Sequence, residues 1–173
     1  MSDTIHVCSR KGLFTLRRSA AGKWEIADLA FLGSPVSMSL ADPRDGNWYA
    51  ALELGHFGAH LHRSNDQGKK WTEVAAPTYP EGATLPDRMP EADGSHAMKP
   101  AALKEIWAME TGGAGNQTLW CGTIPGGLFR SDDAGESWQL VESLWNRPER
   151  MKWFGGGKDE PGIHSIAVDP NDP

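Results

Sequence analysis

The sequence predicts an all-β fold made of repeated four-stranded antiparallel sheets, and three observations predict it. An eight-residue pattern, S-x-D-x-G-x-x-W, occurs as Ser64-Asn65-Asp66-Gln67-Gly68-Lys69-Lys70-Trp71 and again as Ser131-Asp132-Asp133-Ala134-Gly135-Glu136-Ser137-Trp138. Each copy follows one short apolar run and precedes another, the layout of a turn joining two strands of a hairpin. The composition agrees, since 20 Gly, 12 Pro and 8 Trp against 2 Tyr describe a chain of many turns and large anchoring rings.

Aligning the chain on this pattern orders its elements. Residues 1–30 read as a partial unit with a second strand at 5–8, a third beginning at Gly12-Leu13-Phe14 and a fourth at 24–27. Gly12-Leu13-Phe14 matches Gly127-Leu128-Phe129, and Ser19-Ala20-Ala21-Gly22-Lys23-Trp24 is a worn copy of the octapeptide without its Asp. A full unit over 36–74 has strands at 36–40, 48–52, 59–64 and 71–74, and a second over 106–141 has them at 106–110, 119–123, 127–131 and 138–141. The run 164–168, followed by Asp169-Pro170 as 36–40 is followed by Asp42-Pro43, is expected to open a following unit over 164–173. Strands of four to six residues joined by Gly, Asp and Pro turns are the blades of a β-propeller. The expectation is therefore a single incomplete propeller domain over 1–173, about three blade equivalents, phased so that it starts and stops one strand into a blade. We read this phase as the N-terminal portion of a longer propeller, the alternative being a protomer that completes its ring by oligomerisation. Unpaired edges of such a chain would favour association.

The repeated residues have separate tasks. Ser64, Asp66, Ser131 and Asp133 offer oxygens to nearby backbone N–H groups, Gly68 and Gly135 supply the positive φ of a tight turn, and Trp71 and Trp138 bring a ring to cover it. On these residues the octapeptide resembles the Asp-box, or BNR repeat, of sialidase-like and sortilin-like β-propellers. The resemblance implies a structural turn on the face away from the ligand site. It does not carry the sialidase machinery with it: the nearest match to that family's Arg-Ile-Pro is Thr123-Ile124-Pro125, without the Arg and in a later blade, and Tyr49 and Tyr79 have no evident carboxylate partner.

Two connections are longer than a blade needs. One is 75–105, which holds Pro77, Pro80, Pro86, Pro90 and Pro100; the other is 142–163, which holds Trp145-Asn146-Arg147-Pro148 and Trp153-Phe154-Gly155-Gly156-Gly157. In an up-and-down blade such insertions share a face with the second-to-third-strand turns, opposite the octapeptide turns, and loops tolerate length there while strands hold position. The candidate ligand-binding residues on that face are Glu53, His56, Asp87, Arg88, Arg147, Arg150, Trp153 and His164, accompanied by Arg10, Lys11, Glu91, Asp93, His96, Lys99, Lys158, Asp159 and Glu160. Arginine forks pair with carboxylates and a flat Trp offers a stacking surface. The run Gly155-Gly156-Gly157 lacks the helix and Lys-Ser/Thr of a phosphate loop and reads as a hinge or tight crossing. His56, His60 and His62 suggest a metal, but His62 aligns with Phe129 and is expected to fill an aromatic slot, so no metal and no cofactor are expected. Calcium at Asp66 or Asp133 would need more oxygens than the motif supplies.

The formal net charge of −6, with no basic stripe, argues against nucleic acid or an anionic membrane as partner. The N-terminal residues contain no apolar segment after a positive start, and Cys8 and Cys121 lie far apart in apolar runs as reduced core thiols would, which points to a cytoplasmic protein. The expected function is a binding module taking a small molecule, glycan or protein at the insertion face. The alternatives are a glycoside hydrolase of the sialidase-like group using loop carboxylates such as Asp87, Glu91 or Asp93, and a scaffold for assembling a protein complex.

Overall fold

The computed structural model describes residues 3–113, 117–155 and 158–169. Among these residues thirteen strands form four sheets, every pairing antiparallel. The first sheet is β1 (Thr4–Ser9), β2 (Gly12–Arg18) and β3 (Trp24–Ala30); the second is β4 (Val36–Ala41), β5 (Trp48–Glu53), β6 (Ala59–Ser64) and β7 (Thr72–Val74). A two-stranded hairpin follows, β8 (Thr84–Pro90) and β9 (His96–Pro100), and then β10 (Glu105–Thr111), β11 (Leu119–Ile124), β12 (Leu128–Ser131) and β13 (Gln139–Leu140) as the second four-stranded sheet. Helix is confined to α1 (Glu142–Trp145) and 3-10 turns at Gly55–Phe57 and Pro148–Lys152. The chain is all-β, built of antiparallel meanders in which sequence neighbours pair, the arrangement of an incomplete β-propeller. No described helix is long and apolar enough to cross a membrane.

By compactness the chain divides into two units, Met1–Val74 and Ala75–Pro173. In the first, Leu13, Val36, Ala50 and Leu52 form a buried cluster against which Cys8, Ala30, Phe31, Leu54 and Trp71 pack. β5 buries Tyr49, Ala50, Ala51 and Leu52 in succession, so both of its faces are covered; β3 is exposed at six of its seven residues, as an outermost strand should be. The second unit repeats this with β11, whose Leu119 and 121–124 are buried. Its glycine has a packing reason: a Cβ at Gly122 would stand 2.6 Å from the Ile163 carbonyl oxygen, where the chain crosses the sheet and Ile163 N–H donates to Thr123 O (3.2 Å).

The two octapeptide turns are wired alike. Gly68 and Gly135 N–H donate to Ser64 and Ser131 Oγ at 2.8 Å in both, and the Ser hydroxyls donate to Asp66 and Asp133 Oδ1 at 2.9 and 2.7 Å. Those Oδ1 atoms also accept from Lys70 and Ser137 N–H at 2.9 Å. Gln67 (φ 60°) and Ala134 (φ 56°) take the left-handed conformation just before Gly68 and Gly135 at 87° and 85°. Trp71 and Trp138 stand one residue before β7 and β13, because the ladders begin at Thr72 and Gln139. Trp138 Nε1–H is tied to Ala75 O (2.9 Å).

The connection 75–105 carries structure of its own, since β8 and β9 pair within it; five prolines conceal this in sequence, but Pro86 and Pro90 sit in a two-stranded sheet where every strand is an edge and a missing N–H is tolerated. Among the described residues 164–168 lie in no strand, Asp169 forms an isolated bridge, and just ahead of them Ile163 N–H donates to Thr123 O. Gly156, Gly157 and 170–173 are outside the described residues, so the glycine crossing is represented by Gly155 alone.

Candidate functional site

The second unit contains a cavity of about 270 Å³ where its two long connections meet the β11–β12 turn. The first connection contributes Leu85, Pro86, Asp87 and His96; the second contributes Arg150, Met151, Trp153, Phe154, Asp159, Glu160 and Pro161. The turn contributes Pro125, which follows a cis peptide bond, and Gly126. Leu119 pairs with Ser131 and Gly122 with Leu128, so the β11–β12 turn lies at the end of the sheet remote from the Ser131 octapeptide. The cavity thus occupies the end of the blade that the long connections were expected to furnish.

A buried aromatic group holds the Pro125–Gly126 turn that lines it. The Tyr79 hydroxyl bonds Thr123 Oγ1 (2.7 Å) and donates to Pro125 O (2.6 Å), fixing the β11–β12 turn. Thr123 Oγ1 lies in addition 2.8 Å from Pro125 O and 3.1 Å from Gly127 O. The Tyr79 ring meets Phe129 edge-on (5.1 Å) and Trp145 at a tilt (5.0 Å), and the Arg150 guanidinium lies over the Trp145 ring, 3.7 Å from its centroid. Burial pushes the Tyr79 phenol far up, so it remains a neutral donor and acceptor. Arg150 Nε donates to Trp145 O (2.6 Å) and Nη2 to Thr84 O (3.3 Å), which joins the 3-10 turn Pro148–Lys152 to the first residue of β8. Trp153 closes over Gly126: a Cβ there would meet its ring at 3.3 Å.

The charged wall is asymmetric. Glu160 has a side chain only 6% exposed, with Oε1 2.9 Å from both Lys99 Nζ and Lys104 Nζ. Its Oε2 is buried and has no hydrogen-bond partner among the described residues. Lys99 also approaches Asp87 Oδ1 (3.9 Å), and its bond to Glu160 raises its pKa from the ordinary lysine value. His96 Nδ1 lies 2.6 Å from Asp87 O. Beside this group Lys158 Nζ donates to the largely buried Glu105 (2.7 Å).

Of the residues singled out from sequence, Asp87, His96, Arg150, Trp153, Asp159 and Glu160 come together at the cavity. Arg147 does not: it is well exposed and approaches only Glu149 (3.5 Å). His164 is exposed and packs edge-on to Trp107 (5.8 Å) outside the lining. Glu53 and His56 belong to the first unit, at the end of β5 and in the 3-10 turn Gly55–Phe57. The Arg88 side chain is outside the described part. Glu91 and Asp93 form the β8–β9 turn, where Asp93 Oδ1 is taken up by Ser95 N–H (2.9 Å) and Oγ (2.6 Å). In the first unit His60 bonds Glu73 (2.6 Å) and Phe57 O (2.9 Å), while His62 packs edge-on to Phe31 (5.0 Å), so the two rings serve different contacts. Among the described residues no cluster of His, Cys, Asp and Glu has the geometry to hold a metal ion.

Sequence reasoning missed Tyr79, Lys104 and the apolar lining. The hairpin did carry a signal, Asp93-Gly94 between two runs of alternating character, which is a strong hairpin dipeptide. Tyr79 carried none, because its partners are 44 and 46 residues away.

No protein-family profile matches the sequence, and no curated protein matches it. Among solved structures the chain is similar to the GH74 xyloglucanase from Xanthomonas campestris, with a TM-score of 0.55 and 16% identity over 99% of this chain and 23% of that one. It also matches YCF48 bound to D1 peptide, with a TM-score of 0.45 and 16% identity over 78% of this chain and 36% of that one. The chain therefore spans about a quarter of the xyloglucanase, and the likeness establishes the propeller fold.

Proposed function

We propose that this chain is a binding module of the Asp-box propeller type, with its ligand site in the cavity between the connections 75–105 and 142–163. The observation that carries the reading is the convergence there of Asp87 from the first long connection with Arg150, Trp153, Asp159 and Glu160 from the second, beside the hydrogen-bonded Pro125 turn. Mostly apolar lining with a few placed polar groups is the usual character of a ligand site, and the Asp-box reading is supported by the identical wiring of the two octapeptide turns.

A hydrolase reading is less well supported. Glycoside hydrolysis needs two carboxyl groups flanking a bond, one able to arrive protonated. Of the proposed loop carboxylates, Glu91 and Asp93 stand in a surface turn, and Asp87 shares Lys99 with Glu160. Glu160 is already held at Oε1 by Lys99 and Lys104. A cytoplasmic setting is part of the proposal, supported by two free thiols whose burial raises their pKa and leaves them inert.

The test is to screen the purified chain against peptide and glycan arrays together with Trp153→Ala and Arg147→Ala. Binding that is lost in Trp153→Ala and kept in Arg147→Ala supports the site. Binding indifferent to Trp153 removes it, and turnover of any aryl glycoside by the wild type but not by Asp87→Asn would restore the hydrolase.

A further inference from the structure

We infer that the open edge of β1 is a docking site for residues 164–168 of a second copy of this chain, so that the molecule associates head to tail by strand addition. β1 pairs with β2 alone. Arg18 N–H donates to Asp3 O (2.9 Å), and residues of an antiparallel ladder alternate between bonded and non-bonded pairs, so Ile5, Val7 and Ser9 spend their main-chain groups on β2. The main-chain groups of His6 and Cys8 point the other way, to the edge where β1 has no neighbouring strand. A cleft of about 300 Å³ lies beside that edge, lined by Thr4, His6, Ser39, Ala41 and Trp48. The two four-stranded sheets show what such an edge takes. Gly12-Leu13-Phe14 matches Gly127-Leu128-Phe129, so β1 corresponds to β11, and β11 has β10 on the equivalent edge as β5 has β4.

Sheets that keep an edge to themselves blunt it with charge, a bulge or shortness. β3 carries Glu25 and Asp28 and a register shift against β2, β4 and β10 are shifted against β5 and β11, and β7 and β13 are three and two residues long. β1 has none of these devices: its six residues contain no Lys, Arg, Pro, Asp or Glu and run against β2 without a shift. Its Ile5 and Val7, on one face, are 44% and 41% exposed. A fitting strand is present on the same chain. Ser165-Ile166-Ala167-Val168 repeats the character of Ser37-Met38-Ser39-Leu40 in β4, small residues alternating with larger apolar ones, yet 164–168 lie in no strand. Added to β1 with Ile166 and Val168 on the face of Ile5 and Val7, this segment forms the apolar cross-strand pairs that stabilise a sheet. Neither strand brings a formal charge at pH 7, so the pairing buries no unpaired ion. Each copy offers one edge and one segment, which makes the contact head to tail.

The test is sedimentation velocity of the full chain across micromolar concentrations. The expected result is a concentration-dependent association that weakens about tenfold or more in two variants. Ile166→Pro together with Ala167→Pro removes donors from both sides of a segment that belongs to no ladder, and Ile5→Lys sets a charge on the β1 edge. Each variant keeps the element that the other has lost, so an equimolar mixture of the two should associate again. The peptide acetyl-Ile-His-Ser-Ile-Ala-Val-Asp-amide, which is residues 163–169, should compete with association of the wild type, and its doubly proline-substituted version should not. If Ile5→Lys fails to fold by circular dichroism, Val7→Lys takes its place on the same face. A wild type that stays monomeric, association untouched by the two prolines, or a variant mixture that stays monomeric would each overturn the inference. The cavity is read separately by the arrays, because none of these substitutions lies in its lining.

Discussion

Removing one oxygen atom from Tyr79 tests whether the turn that lines the cavity is held as the geometry says. In Tyr79→Phe the ring keeps its contacts with Phe129 and Trp145, and only the bonds to Thr123 Oγ1 (2.7 Å) and Pro125 O (2.6 Å) are lost. The loss is less than two full bonds, because Thr123 Oγ1 remains 2.8 Å from Pro125 O and can donate to it. Counting one net buried hydrogen bond and the space left by the hydroxyl gives about 1–2 kcal/mol. For a chain of this length that corresponds to a fall in melting temperature of roughly 2–8 °C. Urea unfolding followed by circular dichroism reads the change directly. Thr123→Val and the double variant complete a cycle, with a coupling energy of about 1 kcal/mol expected between residues in one network. A Tyr79→Phe variant within about 0.3 kcal/mol of wild type, or a double variant whose effects simply add, would refute the idea that this hydroxyl clamps the turn.

Gly127→Ala should be more damaging than most surface glycine changes, costing about 1–3 kcal/mol by urea unfolding, because its Cβ would stand 2.5 Å from the Tyr79 hydroxyl and 2.9 Å from the Phe129 ring. Trp138→Phe keeps the ring but loses the bond from Nε1 to Ala75 O, a loss of about 0.5–1.5 kcal/mol readable in the same assay. Acid titration should reveal the octapeptide carboxylates. Hydrogen bonds from Ser137 Oγ and Ser131 Oγ, then Ser137 N–H, hold Asp133 at about 2, below its unfolded value near 3.9, so its contribution is present above about pH 4 and is lost as pH falls toward 2. Asp133→Asn should flatten that part of the acid limb, and an unchanged limb would count against the assignment. The sign reverses at His60, whose bond to Glu73 raises its pKa: its contribution is complete below about pH 6.5 and disappears as pH rises through the folded value, so Glu73→Gln should remove a loss of stability that sets in as pH rises above about 6.5.

How much of this was legible from the residues follows from where each signal is stored. The octapeptide is local: Ser131, Asp133, Gly135 and Ser137 bond one another within six residues, so their spacing alone encodes the turn, and two copies set the phase of every strand from β4 to β13 save the hairpin. The candidate site was legible only as a place. Blade phase put the long connections at the end remote from Ser131, and the cavity lies there with six residues drawn from those anticipated. Arg147 and Arg150 were indistinguishable in sequence, yet one is a solvated arginine and the other is stacked on Trp145 and bonded to Thr84. That difference is made by the 3-10 turn Pro148–Lys152, which spaces the two side chains to different surroundings, and nothing in a loop of mixed polarity announces such a turn.

The same contrast explains why propeller blades carry function so loosely. Strand pairing and octapeptide turns depend on contacts of short sequence separation, and they are repeated; the cavity depends on Tyr79 reaching Pro125 and Arg150 reaching Thr84, contacts of 46 and 66 residues that no repeat unit contains. A change in either long connection can therefore alter the cavity while leaving the Ser131 turn intact, and a change at Asp133 should lower stability without altering which ligand is chosen. If Asp133→Asn changed which peptides or glycans of the arrays are bound in a chain that remains folded, that separation of roles between the two ends of the blade would fail.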